Sequence, residues 1–320
     1  MRFVVTGGAG FIGSHISRAL LTQGHDVLVF DNLDPSYPIE LKRYNLKQLK
    51  KYPQFTFAQI DIRDTEKLSA NFDTFKPEII FHLAAKAGVR QSFKEPEEYF
   101  SVNVLGTLSI LEAARRHGVQ QVLAASSSSV YGNDSPIPFS ESNPTEHQIS
   151  PYASSKKAME VMCKTYAEVY KLPIQLFRFF TVYGPSGRPD MAPALFTSAI
   201  VDGKPFQVFG GLTSERDYTF ITDIVEGLLQ AMKHSVPFGI YNLGNNQPIS
   251  LKTFIKTIEE ATGNKANFKI IEKQQGDVEK TWADISLAQN QFEYQPKTSL
   301  DKGIKDFVWW FVRHKKLYSA

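Results

Sequence analysis

Short apolar runs recur along the first half of the chain, each followed by a turn and then by a stretch with helical spacing. Phe3 to Val5, Val27 to Phe30, Phe55 to Ile60, Glu78 to Leu83, Gln121 to Ala125 and Ile174 to Phe180 read as six strands. A helical pattern follows the first strand after a glycine turn. Asn32 to Tyr52 is polar and contains proline, which predicts a loop and then a short helix. Glu95 to His117 reads as a long helix stopped by Gly118. Tyr152 to Lys171 reads as another, ended by Pro173, with Ala158, Val161, Met162, Tyr166 and Val169 at the spacing of one buried stripe. Strands alternating with helices predict an α/β fold, a doubly wound parallel sheet of the Rossmann type with helices on both faces. Ligands on such sheets bind beyond the carboxyl ends of the strands, so the residues just after each strand carry the information.

The pattern changes near Thr181. Tyr183 to Pro189 is turn-rich, and the later elements are shorter: a strand at Phe206 to Phe209, helices at Asp223 to Lys233 and Leu251 to Thr262, and a terminal helix from Leu300 with an apolar face of Phe307, Trp310 and Phe311. We expect a first domain over residues 1–180, with a segment near 217–245 returning to it, and a smaller α/β substrate-binding domain over 181–320. Length and composition agree, since 320 residues that are 42% hydrophobic can fill a sizeable core. The net charge of +3 is scattered rather than clustered, which argues against nucleic acid. A single cysteine, Cys163, excludes an internal disulfide or a cysteine zinc cluster and, on a periodic helix, reads as a packed core thiol. No apolar stretch reaches the ~18 residues of a membrane span. The apolar start after Arg2 is broken by glycines, unlike a signal peptide, so the expected location is the cytoplasm.

The first strand runs straight into Thr6-Gly7-Gly-Ala-Gly10-Phe-Ile-Gly13. Three glycines at this spacing suit a tight turn, a close approach of backbone to phosphate oxygens, and a helix packed on its strand. The second strand ends on Asp31, about 20 residues further on, where such a fold places an acid against the adenosine ribose. An acid there repels a 2′-phosphate, so the cofactor implied is NAD. Asp61 closes the third strand, within reach of an adenine amino group, and Ala84-Ala85-Lys86-Ala87-Gly88 offers small residues for a backbone lying against the cofactor.

Ser126 to Ser129 follows the fifth strand, and Tyr152 and Lys156 sit four apart at the start of the next helix. Residues four apart share a helix face. An ammonium near the phenol would favour the phenolate and make a general base. A packed ring beside a surface amine is the bland reading of such a pair. The serine cluster and the glycine turn favour the chemical one.

Thr6 to Gly13, His82-Leu-Ala-Ala85, Ser126-Ser-Ser-Ser-Val-Tyr-Gly132, Tyr152-Ala-Ser-Ser-Lys156 and Arg216-Asp217-Tyr-Thr-Phe together resemble the extended short-chain dehydrogenase/reductase superfamily. Arg178-Phe-Phe-Thr-Val-Tyr-Gly-Pro185 with Arg188-Pro-Asp-Met191 resembles its UDP-glucuronate 4-epimerase branch. The resemblance implies Ser127, Tyr152 and Lys156 as the catalytic set. It implies a tightly bound NAD that is not consumed, held by Gly7, Gly10, Phe11, Ile12, Gly13, Asp31, Asn32, Asp61, Ile62, Leu83, Ala84, Ala85, Lys86 and Asn103 as well as Tyr152 and Lys156. It also implies a UDP-sugar, with Arg216 at the diphosphate, Gln207 to Phe209 at the uracil and Asp277 near the uridine, and a homodimer through the two long helices. Two departures stand out: Gln274 and Gln275 replace an arginine common before the acid, and Thr181 stands where galactose-type epimerases carry asparagine.

Relatives that dehydrate or decarboxylate the 4-keto sugar carry an acidic residue after the catalytic hydroxyl. Here Ser128 and Ser129 occupy those positions. The remaining course is rotation of the keto sugar and return of the hydride, which is C4 epimerisation. A 4-keto uronate loses carbon dioxide easily, so the carboxylate must be held; Ser128, Thr181 and Arg188 are candidates, and Arg90 is a further one, against the bland reading of both arginines as surface ion pairs. UDP-glucose/galactose or N-acetylhexosamine epimerisation, decarboxylation, and an NAD-binding protein without catalysis are the alternatives. No metal is implied.

Overall fold

The computed structural model describes residues 1–272 and 280–318. The first half runs β1 (Arg2–Thr6), α1 (Phe11–Thr22), β2 (Asp26–Phe30), α2 (Ile39–Leu49), β3 (Phe55–Ala58), α3 (Thr65–Phe75), β4 (Ile79–His82), α4 (Val89–Ser92), α5 (Pro96–Phe100), a π-helical stretch Ser101–Gly106, α6 (Thr107–Arg116), β5 (Gln121–Ser127), α7 (Pro151–Tyr170) and β6 (Ile174–Phe179). The second half runs β7 (Thr181–Tyr183), α8 (Ala192–Asp202), β8 (Phe206–Phe209), β9 (Glu215–Phe220), α9 (Ile221–Lys233), β10 (Phe238–Leu243), β11 (Pro248–Ser250), α10 (Leu251–Thr262), β12 (Phe268–Ile271), α11 (Ser286–Phe292) and α12 (Leu300–His314).

Among the described residues the main sheet has seven strands, all parallel, in the order β10-β6-β5-β4-β1-β2-β3. Alternate residues of each strand feed opposite cores. Phe3, Val5, Val27, Val29 and Phe81 pack on one face, and Val4, Leu28, Phe30, Ile80 and Val122 on the other. A sheet buried on both faces needs such runs without polar alternation. Register aligns Thr6 with Phe30 and His82, Phe30 with Ala58, and Ser127 with Phe179. Gly7, Asp31, Leu83, Ser128 and Phe180 therefore follow one another along a single edge, and the strand order reverses between β1 and β4.

After Phe179 the chain enters a second lobe, where β11-β9-β7 and β12-β8 form two small sheets. It comes back to the main sheet through β10 and then leaves again. Tyr183, Phe196, Val208, Tyr218, Phe220, Phe254 and Ile304 fill the lobe's core, and Phe11 of α1 inserts into it, so the glycine turn and the lobe are packed together.

Three elements differ from the sequence reading. The helix expected over 95–117 is two α-helices joined by the π-helical stretch, a widened turn that carries Asn103. The third strand stops at Ala58 rather than Ile60. On α7 the buried face is Met159, Cys163, Tyr166 and Ala167, joined by Ser155, Lys156 and Glu160, while Val161 and Val169 point outward. Polar residues buried for local bonding displaced the apolar stripe that periodicity suggested.

Candidate active site

The glycine turn is closed by sterics. Gly7 has φ +69°, and a Cβ at Gly13 would lie 2.2 Å from the Gly7 carbonyl oxygen, so α1 packs on β1 only with glycine there. Gly10 precedes α1 without a side-chain cap, which leaves the first N–H groups of the helix, from Phe11 and Ile12 onward, to an anion. This cradle fits the pyrophosphate of a dinucleotide. The Thr6 hydroxyl accepts from the Leu83 and Ala84 amides at 3.2 and 3.1 Å and is held in turn by His82 at 2.8 Å, which reaches Thr107 at 2.9 Å. Burial pushes His82 down to about 3, so this bridge is uncharged. It pins Leu83 and Ala84 beside the turn.

Asp31 accepts from the Ala9 and Leu33 amides at 3.1 and 2.9 Å and faces Lys42 at 3.6 Å. The acid that sequence spacing assigned to a ribose thus also braces the glycine turn. Asp61 accepts from Asn32 at 3.0 Å and from Arg63, whose guanidinium is the main cause holding it down to about 2. Ile62 is buried beneath Gly106. Asn103, in the π-helical stretch, bonds both the amide and the carbonyl of Lys86, at 2.8 and 2.9 Å, and the Ser155 hydroxyl at 2.9 Å. The Lys86 ammonium reaches Asp34 at 3.1 Å.

Ser127 ends β5. Ser150 caps α7 by accepting from the Ala153 amide, and Pro151 starts the helix, which fixes Tyr152 in the first turn and Lys156 in the next. The Ser127 hydroxyl faces Tyr152 closely enough to favour its phenolate, while it donates to the Ser129 hydroxyl and accepts from the Ser129 amide, both at 3.2 Å. Lys156 donates to the Ala125 carbonyl at 2.7 Å, and burial pushes its ammonium down to about 8. The expected cation effect on the phenol comes from elsewhere. Burial raises Tyr152 above its ordinary value, while the Ser127 hydroxyl and then the Arg188 guanidinium pull it back down; Lys156 is turned to the strand instead. Tyr99 lies edge-on to Tyr152 at 6.0 Å and donates to the Ala87 carbonyl at 3.2 Å.

The proposed substrate residues are spread more widely. Arg188 donates to the Ala87 carbonyl at 3.0 Å and pairs with Asp190 at 2.6 Å. Ser128 follows Ser127, and Thr181 lies two residues beyond Phe179, the β6 partner of Ser127. Arg90 stacks over the Phe209 ring at 4.3 Å, across the two lobes. Gln207 is exposed on β8, and Arg216, on β9, donates to the Glu215 carbonyl at 2.9 Å. Asp277, Gln274 and Gln275 lie outside the described residues. Sequence reading missed the buried pair of Arg178 and Glu160 at 2.8 Å, whose carboxylate also accepts from Ser126 at 2.6 Å and so ties α7 to the ends of β5 and β6. Sequence holds only half of a signal for it, an acid one turn after Lys156 on the same helix face, and nothing local that points to Arg178.

A cavity of about 410 Å³ between α1, α2 and α12, lined by His15, Arg18, Tyr44 and Trp309, contains none of these groups. Among the described residues no cluster of three metal-ligating side chains occurs, and no helix is long and apolar enough to cross a membrane.

Comparison with known proteins follows the same lines. The NAD dependent epimerase/dehydratase family matches residues 3–244. The chain is 41% identical to a UDP-glucuronate 4-epimerase of Thermodesulfobacterium geofontis, over 99% of this chain and 98% of that one. It superposes on the UDP-glucuronic acid 4-epimerase of Bacillus cereus, solved with UDP-glucuronic acid and NAD, with a TM-score of 0.93, 33% identity, and coverage of 98% and 100%. It superposes on the UDP-glucose 4-epimerase of Thermotoga maritima, solved with UDP-glucose, with a TM-score of 0.91, 31% identity and the same coverage. The chain belongs to the NAD dependent epimerase/dehydratase family.

Proposed function

We propose that this isomerase, a UDP-sugar 4-epimerase with bound NAD, interconverts UDP-glucuronate and UDP-galacturonate. The observation that carries the uronate reading is Arg188, a guanidinium fixed on the Ala87 carbonyl close enough to act on the Tyr152 phenol. In this reading, a cation near the Tyr152 hydroxyl is at hand for a carboxylate on C5 of the sugar when C4 faces Tyr152. The likeness to two enzymes named for UDP-glucuronate supports the same reading.

In this reading Tyr152 takes the proton from the C4 hydroxyl, with Ser127 bonding the same oxygen, and returns it once the sugar has presented its other face. NAD, held on the glycine turn by the residues around Asp31, Leu83 and Asn103, supplies hydride acceptance and return at C4. Lys156 and Asn103 keep the β5 end and the Lys86 loop in place. Ser128 and Ser129 offer no acid for dehydration or decarboxylation, and Ser128, Thr181 and Arg188 hold the carboxylate so that its bond to C5 is not aligned with the ketone. Gln207, Phe209 with Arg90 above it, and Arg216 take the uridine diphosphate, and residues 181–320, apart from the segment near 217–245 that returns to the main sheet, are the substrate-binding part.

Proton NMR of the protein with UDP-glucuronate and no added cofactor tests this. Formation of UDP-galacturonate is expected; turnover of UDP-glucose in a parallel sample with UDP-glucuronate untouched would replace the uronate reading. A homodimer is part of the proposal, supported by Phe100, Leu105, Val161, Val169 and Tyr170 standing exposed on the neighbouring helices α5 to α7. A solution mass near that of one 36.1 kDa chain at micromolar concentration would remove it.

A further inference from the structure

The guanidinium of Arg188 is already engaged on two sides. Its Nε–H and Nη2–H meet the two carboxylate oxygens of Asp190 at 3.0 and 2.6 Å, and Nη2 also donates to the Ala87 carbonyl at 3.0 Å. Among the described residues these are its hydrogen bonds, and they leave Nη1 as the open part of the fork. The backbone hugs the same group: a Cβ at Gly88 would lie 3.7 Å from Nη2, and Gly88 has φ +118°. The pair is graded in depth, with the Arg188 side chain 21% exposed and the Asp190 side chain 45% exposed. Asp190 is the outer member and Arg188 the inner one.

We propose that Asp190 is a positioning residue that locks Arg188 with Nη1 toward the carboxylate on C5 of the sugar and thereby sets the selectivity for uronates. The proposal rests on the uronate reading above. Arginine loses much rotamer freedom when it is immobilised, and a fork already held by an acid and a carbonyl loses less of it on binding. Asp190 also balances the charge of a guanidinium that is mostly out of water while no uronate is present. The alternative role for an acid at this place is competition, in which Asp190 occupies the edge that the substrate needs.

Calorimetry separates the two. UDP-glucuronate and UDP-glucose are titrated into the Tyr152→Phe protein, which holds ligand without turnover, and into the same protein carrying Asp190→Ala or Asp190→Asn. The expected result is a loss of about tenfold in UDP-glucuronate affinity for Asp190→Ala and a smaller loss for Asp190→Asn, which keeps an acceptor for Nε–H. UDP-glucose affinity and NAD content should stay within about twofold, which a general collapse of the loop would not allow. Unchanged or tighter uronate binding by Asp190→Ala, in a parent that prefers the uronate, overturns the proposal and leaves the uronate reading standing. A parent that binds both sugars alike removes both.

Discussion

The two walls of this site are made of different material. The wall proposed for NAD is mostly main chain: a glycine turn, the first N–H groups of α1, and the Leu83 and Ala84 amides pinned by Thr6. The wall proposed for the sugar is mostly long side chains, with Arg188 held by Ala87 and Asp190 and Arg90 laid on Phe209. Main chain is positioned as soon as the sheet forms, whereas each arginine needs its own anchors. On the proposed assignments the difference teaches a division of labour: the sheet edge holds the cofactor, and the choice of sugar is left to side chains that can change without disturbing it.

That division is broken most severely by Gly13→Ala. The new methyl group would sit 2.2 Å from the Gly7 carbonyl oxygen, and main chain cannot move aside cheaply. We expect loss of copurifying NAD and a lower Tm, read from the absorbance of the acid-released cofactor and from thermal melting; full NAD content would show that the turn is not rigid. Tyr152→Phe is the next largest test, because it acts where the two walls meet. It should lower kcat by about 10²- to 10⁴-fold with NAD content unchanged and KM altered little, and a kcat equal to the parent's would remove Tyr152 as the base. A smaller effect sharpens the contrast between the cations. Arg188 pulls the Tyr152 phenol down, so its removal lets the phenol rise, and the ascending limb of kcat against pH should move upward. With UDP-glucose as a substrate that needs no carboxylate grip, Arg188→Ala should move that limb to higher pH. An unmoved limb would mean that the guanidinium serves binding alone.

The main-chain wall was far more legible in the sequence than the side-chain wall. Strand runs, glycine spacing and the four-residue step from Tyr152 to Lys156 are local patterns with local causes. The Arg178 and Glu160 pair was not legible, since its partners lie on a helix and a strand and meet only when α7 lies across β5 and β6. Lys156 was read as the cation that acts on the phenol because spacing shows which helix face a residue occupies; it does not show that the Ala125 carbonyl claims the ammonium. The outward Val161 and Val169 misled for a related reason, because buried polar groups erase the contrast on which a helical stripe depends. The elements α3, α8 and β9 to β12 were passed over as discrete elements, although α9 and α10 were caught.

The most direct test of the account is the ratio of kcat/KM for UDP-glucuronate over UDP-glucose, measured in the parent and in Arg188→Ala. A fixed guanidinium with hydroxyl support should favour the uronate by about 100-fold in the parent, on the scale of a strong charge-assisted pair, and the ratio should fall toward one in the variant. A parent ratio near one, or a large ratio that Arg188→Ala leaves intact, would contradict the assignment of sugar choice to this side chain.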